Sequence, residues 1–322
     1  MRSFRCPRCD AQLYFENSVC VSCGSAVGYD RDQRSLVLVD RGAATGRAIC
    51  ANLDLNGCNW LADPASEAGF CLSCRLTRTR PADADLAGLA DYYVAESAKR
   101  WLVFELDELG LPVVVSDGFT GLAFDLLSSD RSPVTTGYLN GVITFDLAET
   151  HDAHRENLRV SMAEPYRTVL GHFRHEIGHY YCELLVLTAG RTDEFRELFG
   201  DETRSYADAL ADHYRAGPGG DWPTDMISSY AAMHPLEDFA ETFAHFLHIT
   251  DTLQTASEFG VTVGPTGPDR PFATVVAEDW LPLSRALNQI NKSLGKGELY
   301  PFVLTDPVIA KLDFVSRVVR AA

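Results

Sequence analysis

Between Gly171 and Tyr181 the chain reads Gly-His-Phe-Arg-His-Glu-Ile-Gly-His-Tyr-Tyr, which contains H-E-x-x-H at His175, Glu176 and His179. Side chains four apart on an α-helix lie about 40° apart in azimuth and one turn apart along the axis. Both imidazoles can therefore reach one divalent cation, while Glu176 projects beside the pair, where it can take a proton from water held at the metal. The ordinary alternative is a pair of helical histidines in a polar surface patch. A third ligand at a sensible place weighs against it.

The best-placed third ligand lies downstream, in the segment Ser229 to His248. Pro235 suits a first helical position, which puts Glu237 in the first turn, where the helix dipole favours a carboxylate. Glu241, one turn on, can sit behind the site and accept a hydrogen bond from a ligating histidine. Tyr230, seven residues before Glu237, can donate to the oxyanion that develops when water attacks a carbonyl. Asp193 and Glu194 are competing acidic candidates, although they also read as the start of a helix. His234, His245 and His248 share the Glu237 neighbourhood, with packing or support of a ligand as the simpler reading. A further histidine ligand of the extended type H-E-x-x-H-x-x-G-x-x-H is excluded, because those positions hold Cys182 and Leu185. Cys182 reads as a small buried apolar residue.

A second kind of ligand is confined to the other end of the chain. Eight of the nine cysteines fall between positions 6 and 74, and all nine histidines fall between 151 and 248. Cys6-Pro7-Arg8-Cys9 and Cys20-Val21-Ser22-Cys23 are two C-x2-C knuckles, the requirement of a four-cysteine zinc ribbon. A redox role for one C-x-x-C is disfavoured by the matched pair and by the lack of a βαβ context. Cys50, Cys58, Cys71 and Cys74 form a second set, assigned a second structural zinc, although the gap from Cys50 to Cys58 is wide and ligand sharing between the sets stays open. With few apolar residues for its size, the first 75 residues need the metal to fold. The basic run Arg75 to Arg80 reads as a solvated linker.

These residues need elements to hold them. Apolar residues at Tyr166, Val169, Leu170, Phe173, Ile177, Tyr180, Leu184 and Leu187 predict a helix over 163–188, begun by a Ser161/Glu164 capping box and Pro165. Upstream, Pro81 to Asp85 marks a boundary between a ribbon region, 1–80, and a second domain, 81–322. That domain opens with an amphipathic helix from Leu86 to Leu109, followed by strands at 112–115, 121–127 and 140–147. The last strand alternates Ile143, Phe145 and Leu147 against Val142, Thr144 and Asp146, so at a sheet edge it could pair with an extended peptide. Further helices are expected at 195–215, 277–294 and 307–319, with glycine-rich breaks at 217–220 and 260–271. The fold class is α+β: a small sheet, the H-E-x-x-H helix and a helical lobe behind a cysteine-rich module.

The chain has 322 residues, 46% of them hydrophobic, which is ample for a buried core. Its net charge of −17 is uneven: residues 1–80 come to +2 and 81–322 to −19. The acidic part argues against nucleic-acid binding there. No apolar segment of signal or membrane-spanning length is found, and paired cysteines read as metal ligands in a reducing compartment, so a cytoplasmic location away from any membrane is expected.

Taken together, the cysteine motifs, the Gly171 to Tyr181 stretch, the His234 to Glu241 helix and Leu299-Tyr300-Pro301-Phe302-Val303-Leu304 resemble a bacterial family of zinc-binding metallopeptidases. Its members pair an N-terminal zinc-ribbon region with a zincin domain. The resemblance covers nearly the whole chain. It implies a gluzincin fold, with His175, His179 and Glu237 as ligands of a catalytic zinc and Glu176 as general base. Glu237-x-Phe239-Ala240-Glu241 with Tyr230 also resembles the catalytic domain of anthrax lethal factor, over the two motif helices only. The expected activity is hydrolysis of a protein or peptide substrate with one catalytic and two structural zinc ions, the ribbons docking a substrate or protein partner. The rival expectation is a zinc-ribbon adaptor whose second domain binds without catalysis.

Overall fold

The computed structural model describes all residues except 1, 40–47, 65, 131, 162–163, 218–221 and 262–269. The chain divides into two compact units that do not follow chain order: Met1–Glu105 with Val113–His151 and Glu258–Gly260, and Leu106–Pro112 with Asp152–Ser257 and Val261–Ala322.

The first unit begins with two antiparallel hairpins, β1 (Ser3–Arg5) with β2 (Gln12–Tyr14) and β3 (Val27–Asp30) with β4 (Ser35–Leu38). In the second knuckle the Gly24 N–H returns to the Cys20 carbonyl in a tight loop, at a φ of 71° that an L side chain rarely adopts. The ribbon region does not rely on metal alone for its core. Phe15 lies 4.4 Å from Trp101 and 4.6 Å from Phe104, both on the helix Leu86–Glu108, and Tyr29 and Trp60 close the same aromatic cluster. Each such side chain contributes about 1.5–3 kcal/mol on burial, so the helix supplies apolar surface that the ribbon lacks.

A four-stranded mixed sheet completes this unit, in the order β5 (Thr77–Thr79), β6 (Ala123–Leu127), β8 (Val142–Asp146), β7 (Gly137–Leu139). Three expectations are corrected here. The basic run is no solvated linker: Thr77–Thr79 pairs with β6, Arg78 forms an ion pair with Asp125, and Arg75 pairs with Asp63. The alternating strand β8 is not at an edge, being paired with β6 in parallel and β7 antiparallel, so its backbone groups are already used. The segment 112–115 makes only an isolated bridge, Val115 to Leu122. Two residues of positive φ, Asn140 and Gly141, join β7 to β8, a turn whose twist suits adjacent antiparallel strands.

The second unit is helical. Its H-E-x-x-H helix spans Val169–Cys182 and continues through a π-turn, Glu183–Leu187. The predicted start is wrong by six residues. Thr168 is the cap, accepting from the Gly171 N–H, while Ser161 ends the preceding helix Asp152–Ser161 and bonds back to Leu158. Residues 162–163 of the expected start lie outside the described residues. The expected helix 195–215 is two helices, Thr192–Phe199 and Tyr206–Ala216, because Gly200 leaves the helical region at φ 96°. Of the two glycine-rich breaks, 218–220 and 262–269 lie outside the described residues. Pro235–Glu258, Leu281–Ser293 and Asp306–Arg320 complete the unit. Phe173, Ile177, Tyr181, Phe239, Phe243 and Phe314 are fully buried and form its core. Among the described residues no helix is long and apolar enough to cross a membrane.

Candidate metal centres

The H-E-x-x-H helix and the Pro235–Glu258 helix can approach closely because residue 178 is glycine. A Cβ there would stand 2.9 Å from the Ala240 Cα and 3.1 Å from its carbonyl oxygen, too close for any side chain. This contact sets the glycine turn of the motif directly against the Glu237-to-Glu241 turn of its neighbour. A buried ion pair, Arg174 with Asp251 at 2.9 Å, joins the same two helices, and a second, Lys311 with Asp238 at 2.6 Å, ties the first turn of the Pro235 helix to the C-terminal helix. Lys311 also donates to the Asp225 carbonyl.

Through this packing His175, His179 and Glu237 offer three ligand atoms within 4.8 Å of one another. His175 Nε2 is 3.0 Å and His179 Nε2 3.4 Å from the Glu237 carboxylate. His175 Nδ1–H donates to Glu241 at 2.7 Å, which turns Nε2 toward the trio as the nitrogen available to a metal. Burial alone would raise the pKa of Glu241, but the His175 hydrogen bond outweighs it and holds the carboxyl at about 2. Burial likewise opposes ionisation of Glu237, and the charges and hydrogen bonds of His179 and His175 bring it well below the usual carboxylate range. Glu176 also remains a carboxylate: burial is overcome by His172 and the two motif histidines. Two imidazoles and one carboxylate make a three-donor set, the number that catalytic zinc sites take from protein where structural sites take four.

Tyr230 approaches this site, with its ring 6.0 Å from that of His175. Its phenol hydrogen-bonds Tyr206, whose hydroxyl in turn donates to Glu237 Oε1 at 2.9 Å. Burial and the Glu237 charge push both phenols up, so each keeps its proton. Tyr206 escaped the sequence reading because it follows Gly200 and Ser205 in a region taken as continuous helix. His172, whose Nε2 lies 3.2 Å from Glu176 Oε1, escaped as well, although its spacing of four from Glu176 is visible in the sequence.

The competing candidates are engaged elsewhere. Glu194 pairs with Arg317 at 2.5 Å. His234 Nε2–H donates to the Arg204 carbonyl and its Nδ1 accepts from Leu236 N–H. Tyr300 bonds His245 Nδ1 at 2.8 Å, and burial lowers His245 to a pKa of about 4 and His248 to about 3, so both are neutral packing groups. Burial raises the Cys182 thiol, leaving it an inert apolar residue.

In the first unit Cys6, Cys9, Cys20 and Cys23 form one four-sulfur group and Cys50, Cys58, Cys71 and Cys74 another, with no member shared. Two thiolates about 2.3 Å from a tetrahedral zinc stand about 3.8 Å apart. The observed separations are 3.7 Å for Cys6 with Cys23, 3.7 Å for Cys9 with Cys20 and 3.5 Å for Cys58 with Cys71. The wide gap between Cys50 and Cys58 is taken up by a one-turn helix, Leu53–Asn56, closed by Gly57 at φ 69°.

Two four-sulfur groups and one His-His-Glu group define a class of zinc-binding protein with a ribbon region and a metallopeptidase-type domain. The chain belongs to the family described as "Putative zinc-binding metallo-peptidase", whose model matches residues 88–318, and a zinc-ribbon domain model matches residues 3–85. It is 51% identical, over 99% of its own length and 95% of theirs, to uncharacterized proteins of Mycobacterium bovis and Mycobacterium tuberculosis. No solved structure matches the chain.

Proposed function

We propose that this protein is a zinc-dependent metallopeptidase of the gluzincin type, hydrolysing peptide bonds in a protein or peptide substrate. The observation that carries the reading is the convergence of His175, His179 and Glu237 beside an ionised, buried Glu176. In this reading His175, His179 and Glu237 are the ligands, and Glu241 orients His175. Zinc held there supplies Lewis acidity to water and to the scissile carbonyl. Glu176 accepts the proton of the attacking water and delivers it to the leaving amine, which general acid–base catalysis needs at one well-placed carboxylate. Tyr230 donates its phenolic hydrogen to the developing oxyanion, released from Tyr206 when substrate arrives. Tyr206 holds Glu237 in its ligating orientation.

Residues 1–80 serve as the ribbon module and 81–322 as the peptidase domain. The ribbons, with Cys6, Cys9, Cys20 and Cys23 on one structural zinc and Cys50, Cys58, Cys71 and Cys74 on another, dock a substrate or protein partner. Thiolate ligation suits a reducing compartment, and the cytoplasm is the proposed site of action. Nucleic acid is not the proposed partner, because the acidic balance of 81–322 repels phosphate.

Cleavage of a peptide library by the zinc-loaded chain tests this, with Glu176→Gln as control. The variant is expected to keep its zinc and lose at least about 10²-fold in turnover. Equal cleavage by both forms defeats the proposed base, and no cleavage by either favours a zinc-ribbon adaptor.

A further inference from the structure

The residues just before the H-E-x-x-H helix are not helical, and their conformation brings a chain of polar groups up to the back of Glu176. The Glu164 carboxylate accepts from Arg167 Nη1, at 3.0 Å to each oxygen. The same guanidinium places Nη2 3.4 Å from His172 Nδ1. His172 Nε2 in turn lies 3.2 Å from Glu176 Oε1. Every member is largely shielded: side-chain exposures are 19% for Glu164, 12% for Arg167, 15% for His172 and 5% for Glu176.

Hydrogen-bond chemistry fixes the direction of this chain. A guanidinium has only donors and keeps its charge, so His172 Nδ1 must accept. A neutral ring that accepts at Nδ1 carries its hydrogen on Nε2, and that hydrogen points at Glu176. His172 is three residues before His175, yet its ring nitrogens are committed to Arg167 and Glu176 rather than to the ligand trio. The irregular segment 164–168 thus does more than delay the helix.

Resting on the reading of Glu176 as general base, we propose that His172 is its positioning residue: locked by Arg167 as the Nε2–H tautomer, it donates to Glu176 Oε1 and leaves Oε2 as the acceptor of the water proton. During hydrolysis the water oxygen bonds to the scissile carbonyl carbon as its O–H bond breaks, and the proton moves to Glu176 Oε2 and then to the amine nitrogen as the C–N bond breaks. The His172 hydrogen stays where it is. A carboxylate clamped at one oxygen is held in a single orientation, and misplacement of a reacting group by about 1 Å can cost about 10²-fold in rate.

Two measurements on the zinc-loaded full chain test this. Long-range ¹⁵N–¹H spectra of the histidine rings at neutral pH are expected to show His172 neutral with its proton on Nε2, and Arg167→Met is expected to release that preference. A proton on Nδ1 of His172 in the native chain overturns the proposal, whether or not any peptide is cleaved. In kinetics His172→Phe is expected to lower kcat about 10–100-fold with KM within about twofold. His172→Gln, whose amide N–H stands about where Nε2–H stood, is expected to restore most of kcat. If Gln is as poor as Phe at equal zinc content, or if the loss falls on KM, His172 is merely structural and the proposal fails. If Glu176→Gln keeps full turnover while the His172 tautomer is as described, the general-base reading fails and the hydrogen-bond chain stands.

Discussion

The two metal-binding regions solve opposite problems. In the first unit all four sulfurs of the Cys50, Cys58, Cys71 and Cys74 group are buried, and Asn56 and the Cys71 and Cys74 backbone N–H groups add hydrogen bonds to them. Four thiolates fill a tetrahedral shell, which leaves such a cation nothing to do but hold the fold. In the second unit three donors converge, His179 is only partly covered, and the carboxylate of Glu176 waits beside them. The helices around that trio are packed through Phe239, Phe243 and Phe314 and tied by buried ion pairs. In one region the ligands are themselves buried in the core, whereas in the other they stand on a core built by aromatic residues and ion pairs beside them, which suits the chemistry proposed for the second centre.

The sharpest way to break this contrast is to remove one ligand from each kind of site. Structural zinc supplies apparent binding energies of about 10–16 kcal/mol, as large as the whole stability of a domain. Cys58→Ser is therefore expected to unfold the ribbon region, seen as lost solubility or a lost thermal transition. Glu237→Ala is expected to leave the circular dichroism spectrum intact while zinc affinity at the second unit falls. Equal tolerance of both changes would erase the distinction.

A smaller effect probes the close approach that builds the open site. Gly178→Val must push the backbone of Ala240 away, an overpacking that costs about 1–3 kcal/mol. A lowered unfolding midpoint together with reduced zinc retention in the second unit is expected. A stable variant with unchanged zinc would mean that the two helices are not held by that contact.

Smaller again is the helix start. Thr168→Ala removes the side-chain acceptor for the Gly171 N–H, and about 1 kcal/mol of stability should go with it in chemical denaturation. Ser161→Ala, at the start expected from sequence, should change little by comparison.

That pair of variants also marks how far the sequence could be read. The H-E-x-x-H spacing, the C-x2-C knuckles and Glu237 in the turn opened by Pro235 were legible because ligand chemistry demands fixed residue types at fixed helical or loop offsets. The helix start was not, since Ser161 with Glu164 meets the local rule for a cap, whereas in the structure Ser161 closes the preceding helix, Glu164 binds Arg167, and Thr168 is the cap. Thr77–Thr79 was misread for a related reason: its charges look solvated until Asp125 arrives from β6, almost fifty residues away. Tyr206 was invisible because its partner, Glu237, is 31 residues downstream and joined to it only by tertiary packing.

The most direct test of the central claim is a zinc count before and after brief treatment with a mild chelator. Three ions per chain are expected at first, one for each ligand group. Two are expected afterwards, with the fold retained, all turnover gone, and both restored by one equivalent of zinc. Zinc leaving the cysteine groups first, or a chain that never holds more than two ions, would contradict the account.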